Sequence, residues 1–99
     1  MPRFPAEEDD ADDVREFLDA YEGLDHLRVR RRLDLLTLES GPQNDPIPHA
    51  RLRRLSAQKW TLECATHTGR WEKTGFDGTV KKLLDLLVST LPWIVTPRE

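Results

Sequence analysis

Residues 27–39, "LRVRRRLDLLTLE", decide the fold, because they alternate where the segments before and after them run in helical steps. Leu27, Val29, Leu33 and Leu35 share one parity, and Arg28, Arg30, Arg32 and Asp34 share the other. That period of two places apolar side chains on one sheet face and arginines on the opposite one. The alternation slips at Leu35-Leu36-Leu38. Either a bulge or a stretch buried on both faces accounts for that slip.

Upstream the period is helical. Val14, Phe17, Leu18 and Tyr21 fall at i, i+3, i+4 and i+7, so the spacing predicts a helix over 11–22, with Gly23 placed for a left-handed end. Residues 1–10 carry two prolines and the start of an acidic block, Glu7-Glu8-Asp9-Asp10, without an apolar face to bury, which reads as a flexible acidic arm.

Downstream, "SGPQNDPIP" (40–48) reads as a loop of turn formers. "HARLRRL" (49–55) fits a helix through Leu52 and Leu55, or an edge strand through Ala50, Leu52 and Arg54 against Arg51 and Arg53. The strand is preferred, because "SAQ" then joins it directly to the next one. Trp60, Leu62 and Cys64 alternate with Thr61, Glu63 and Ala65, and Gly69 closes a hairpin into "RWEKTGF" (70–76). Val80, Leu83, Leu84, Leu87 and Leu91 then form a helical stripe that Asp77 or Thr79 caps and Pro92 ends. Trp93, Ile94 and Val95 form an apolar tail that packs back on the body. The expected fold is α+β: an antiparallel sheet of three to four strands, with an N-terminal and a C-terminal helix on one face, all within a single domain over 11–99.

Length and composition narrow the function classes. The chain has 99 residues and suits one modest core. No apolar run approaches the ~20 residues that cross a bilayer, and the start lacks a signal-peptide pattern, so no membrane contact and a cytoplasmic location are expected. Residues 1–25 hold ten acids against Arg3 and Arg15, whereas residues 26–99 hold thirteen Lys and Arg against eight acids. A net charge of −3 thus hides an acidic end and a basic body.

Catalytic patterns are incomplete. Cys64 and His67 form a Cys-x-x-His pair, yet further ligands are missing, His26 and His49 stand alone, and Cys64 shares the parity of buried residues. Glu63 and Glu72 read as solvated side chains on adjacent strands, with partners such as Lys73 or Arg70, rather than as an acid–base pair. Gly69, Gly75 and Gly78 make no phosphate loop. No cofactor, metal ligand set or small-molecule substrate is therefore expected. Arg28, Arg30, Arg32, Arg51 and Arg53 form the candidate site, a basic patch on the face away from the helices. With Trp60 or Trp71 nearby, such a patch suits anions or nucleic acid, and it also suits the chain's own acidic arm as an internal competitor.

The segment from "HARLRRLSAQKWTLECATHTGRWEKTGFDGT" through "PWIV" resembles a family of small uncharacterised bacterial proteins, in its Trp-x-Leu-Glu strand, Gly-Arg-Trp-Glu run and leucine-rich helix. That resemblance implies a bacterial source and no particular activity. The order helix, strands, helix with Lys81-Lys82 also invites comparison with the double-stranded-RNA-binding domain, but "VKKLLDLLVSTL" lacks the small-residue pattern of that helix. The expected role is a non-enzymatic interaction or regulatory domain that binds a protein partner or itself, with nucleic-acid binding through the arginine face as the alternative.

Overall fold

In the computed structural model, which describes residues 4–96, the stretch 27–39 is two strands rather than one. β1 (Arg28–Arg32) and β2 (Leu35–Ser40) pair antiparallel, with Arg32 opposite Leu35, so Leu33 and Asp34 form a two-residue turn. Leu33 has φ 55° and is the sole non-glycine residue with positive φ among those described. A hairpin of this length favours glycine, asparagine or aspartate where φ is positive, which is why Leu-Asp did not read as a turn. The turn also explains the slip in parity: Leu36 and Leu38 lie opposite Arg31 and Val29 on the core face, and Leu35 joins the arginines.

The remaining strands are β3 (Ile47–Arg54), β4 (Trp60–Ala65) and β5 (Trp71–Gly78), and the sheet runs β1-β2-β3-β4-β5 as an antiparallel meander. Five strands thus replace the three to four expected. The segment 49–55 is extended, as preferred, and the strand begins two residues earlier at Ile47. Pro48 is tolerated there because the register shifts: Leu38 faces Ala50 and Glu39 faces Pro48, leaving His49 as an extra residue. A second irregularity lies in β5, where Lys73 pairs with Glu63 but Asp77 pairs with Thr61. Gly75, at φ 85°, turns the chain there, and the Thr74 hydroxyl donates to the Leu62 carbonyl at 2.9 Å.

The first helix, α1 (Glu8–Ala20), opens three residues before the expected start, with the Asp10 carboxylate accepting from the Glu7 backbone N–H at 2.9 Å. Of the stretch 1–10 expected as an arm, residues 1–3 lie outside the described residues, Ala6 is buried and bonded to the Leu33 carbonyl, and 8–10 are helical. The second helix, α2 (Val80–Ser89), is capped by Thr79, whose hydroxyl accepts from the Lys82 N–H, because Asp77 is still in β5. A short 3-10 turn over Pro92–Ile94 follows.

Both helices cover the same sheet face. Val14 and Leu18 from α1, Leu83, Leu84 and Leu87 from α2, and Leu36, Leu38, Leu52 and Leu62 from the sheet belong to one core, which Ile94 and Val95 close. Trp93, in contrast to the packing expected of the tail, is exposed.

The strained turn yields a stability test. Leu33 is 56% exposed and makes no core contact, so Leu33→Gly removes a left-handed strain of ~1–2 kcal/mol against an unfolded-state entropy cost of ~0.5–1 kcal/mol. The expected outcome is a gain of about 0.5–1 kcal/mol in urea unfolding; an unchanged or lowered midpoint would mean that Leu33 sits there without strain.

Candidate functional site: the open arginine face

The face of the sheet away from the helices collects all five arginines named from the sequence. Arg30 lies opposite Thr37, and Thr37 opposite Arg51, while Arg32 lies opposite Leu35, and Leu35 opposite Arg53. Arg28 faces Glu39 at the end of the same strand. Residues directly opposite in a ladder share a face, so register alone assembles the patch.

Two carboxylates sit beneath it. Glu39, only 3% exposed, accepts from Arg28 at 3.0 Å and from Arg30 Nε at 2.8 Å. Glu63, 4% exposed, accepts from Arg51 Nε at 2.8 Å and from Arg53 Nε at 3.1 Å. Arg53 also reaches Asp34 at 3.4 Å, so the carboxylate of the β1–β2 turn ties that turn to β3. Arg28 is further engaged by the Gly41 carbonyl at 2.6 Å. The Arg51 guanidinium lies over the Trp71 ring, 4.3 Å from its centroid. Arg32 is exposed, and no ion pair holds it among the described residues. The face is therefore less positive than five arginines suggest, yet four of its guanidiniums are held in place with N–H groups to spare.

Burial opposes ionisation of Glu63, but the hydrogen bonds and charges of Arg51 and Arg53 outweigh it and hold the carboxyl below its ordinary range. Desolvation likewise opposes the charge of Arg53, and Glu63 and Asp34 reverse that effect and raise its pKa.

Among the described residues, the acids of the N-terminal segment that reach the sheet do so on its helical side. They meet the two arginines of opposite parity: Glu8 pairs with Arg31 at 3.2 Å, and Asp10 and Glu7 lie 3.6 and 3.7 Å from Arg54. Arg31 and Arg54 point to the helical side, where α1 is the nearest source of negative charge. Arg54 shares the parity of Ala50 and Leu52 in the sequence, and Arg31 shares that of Leu27 and Val29.

Other candidates separate or become structural. Cys64 packs partly buried against the core, and His67 is exposed in the β4–β5 turn. Glu63 pairs with Lys73 and the neighbouring Cys64 with Glu72, so the two glutamates occupy opposite faces. Glu63 itself is buried and bound by Arg51 and Arg53, not solvated. No group of three or more His, Cys, Asp or Glu among the described residues is placed to hold a metal ion.

His26 and His49, which looked isolated, are brought together with ring centroids 5.9 Å apart. His49 Nδ1–H donates to the Ile94 carbonyl at 2.9 Å, and its Nε2 hydrogen-bonds with the Ser40 hydroxyl at 2.8 Å. His26 Nε2 bonds the Val95 carbonyl at 2.7 Å. A serine–histidine pair has nucleophilic geometry, but His49 is fully buried and Ser40 nearly so, which keeps substrate away. These bonds fasten the C-terminal turn.

The fold and this face define a small α+β domain with a clamped arginine surface. In comparisons with known proteins, no family model matches the chain, and no curated protein or solved structure is similar to it.

The clamp makes a pH-dependent prediction. Glu63→Gln leaves Arg51 and Arg53, both partly solvated, without their counter-charge, and is expected to cost about 1–3 kcal/mol at neutral pH. Because the folded pKa of Glu63 is depressed, its contribution is complete above the ordinary glutamate range and fades as pH falls below that range, through the folded value. Wild type and variant should thus converge in acid; a pH-independent gap in urea-unfolding free energies would contradict the clamp.

Proposed function

We propose that this chain is a small non-enzymatic interaction domain that docks a protein partner on the open face of its sheet. The observation that carries this reading is the pair of arginine clamps, Arg28 and Arg30 on Glu39 and Arg51 and Arg53 on Glu63. Long basic side chains normally lose rotamer freedom on binding, and here much of that loss has already been taken up in folding. Arg51 stacked on Trp71 adds two residue types that dominate binding hot spots.

Nucleic acid is the second reading, favoured by the same Arg–Trp stack, on which an unpaired base would fit. It ranks lower because Asp34, Glu39 and Glu63 offset much of the field that a phosphate chain would meet. Self-association through the β5 edge also ranks lower, since the irregularity between Lys73 and Asp77 interrupts the row of free backbone groups.

The test reverses charge at Arg30 and Arg32, one hydrogen-bonded on a single edge and the other without an ion pair. Affinity capture with quantitative mass spectrometry is expected to return a protein that Arg30→Glu/Arg32→Glu loses by about tenfold or more and that Asp45→Lys, in the β2–β3 loop, retains. Retention of every captured protein by the face variant would refute the reading. Salt-sensitive binding of a labelled single-stranded oligonucleotide, lost in the same variant, would select the nucleic-acid reading instead.

A further inference from the structure

On the helical side, α1 uses only part of its apolar stripe for the core. Ala11, Val14 and Leu18 are buried, whereas Phe17 is half-buried and Tyr21 is 43% exposed. Their rings stack with centroids 4.6 Å apart, Tyr21 standing just past the last residue of α1. Val80 and Lys81 lie beside Asp13 and Phe17 at one end of the seam, and Val88 beside Tyr21 at the other, so the two helices run parallel.

Two depressions flank the stacked rings. One, of about 430 Å³, is lined by Asp13, Glu16, Phe17, Val80, Lys81 and Leu84. The second, of about 240 Å³, involves Tyr21, Glu22, Val88, Pro92 and Val95. Leu84 and Val88 are four residues apart on α2, so the centres of the apolar floor are separated by about 6 Å along the axis. Asp13, Glu16 and Glu22 rim this floor and make no ion pair among the described residues, and Lys81 is the one cation lining it.

We propose that this seam is a docking groove for a basic amphipathic helix of a partner protein. Two apolar side chains at i and i+4 seat in the two depressions, and lysines or arginines on the flanks face Asp13, Glu16 and Glu22. A helix satisfies its own backbone groups while lying on an apolar floor, which an extended segment does not. The acidic rim selects the charge of the occupant. It also disfavours a second copy, because a two-fold contact would set the carboxylates of one α1 against those of another. The groove and the arginine face lie on opposite sides of the molecule, so the two proposals stand or fall separately.

A synthetic peptide of about four helical turns, built from two Leu-Lys-Lys-Leu-Leu-Lys-Lys heptads that keep leucine on one face, is the probe, with the same peptide carrying Glu for Lys as its counterpart. The Lys peptide is expected to bind the full chain saturably and to shift backbone amide resonances along α1 and α2, but not on the open face of the sheet. Tyr21→Ser, at an exposed side chain, should weaken binding by about tenfold, and Glu16→Lys/Glu22→Lys should weaken it similarly and flatten its salt dependence. The Glu peptide should not bind, and Asp45→Lys, in the β2–β3 loop, should leave binding of the Lys peptide intact. Absence of saturable binding at millimolar peptide, full affinity in both groove variants, or equal binding of the Glu peptide would each overturn the proposal. So would a dimer in light scattering that Tyr21→Ser dissolves, which would make the occupant a second copy of the chain.

Discussion

Glu63 between Arg51 and Arg53 is the interaction on which the open face depends. The helices cover one face of the sheet, and the other must stay soluble without losing its register. Burying a carboxylate there does both. A slip of one residue would turn Glu63 into the apolar layer and Leu62 into solvent, so the ion pairs and the core specify the same pairing. Glu39 repeats the device at β1–β2, and Asp34 extends it from the turn to β3. Four of the five strands are thereby linked by charge on one side and by leucines on the other.

The charge layout follows from the same division. The sheet carries its positive charge outward, and α1 carries the negative charge on the far side. Parallel helices place both positive dipole ends together, and α2 has no acid in its own first turn. Lys81 and Lys82 there are electrostatically unfavourable on their own. Asp13 on α1, which lines the same depression as Lys81 at that end, supplies negative charge beside it. Asp13 thus offsets the unfavourable placement of Lys81 between the parallel helices.

What the sequence revealed depended on how regular each local pattern was. The stripe of α2, the alternation of β4 and the turn at Gly69 agree with their tertiary surroundings, and the observed elements match within a few residues. The β1–β2 hairpin was hidden because its turn is Leu-Asp, whose positive φ the tertiary pairing imposes against local preference. The arginine face was legible from parity, and all five residues converge. Glu39 and Glu63 were not legible as clamps, since their burial depends on which strands are neighbours, and strand order does not show in a period of two. Arg31 and Arg54 break the apolar parity at strand ends, a sign that something acidic must sit above them.

The C-terminal closure shows the remaining constraint. Ile94 and Val95 bury their side chains at the edge of the core, which takes their carbonyls out of water as well. Such carbonyls need donors, and neither a helix nor a strand supplies them in this short turn. The bulge at His49 and the connection carrying His26 bring imidazole donors to both. Without an extra residue in β3, position 49 would alternate onto the arginine face, because Ala50 and Leu52 hold the core parity. One bulged residue thus fixes the turn from Pro92 to Val95, and that turn in turn forms the end wall of the groove between the helices.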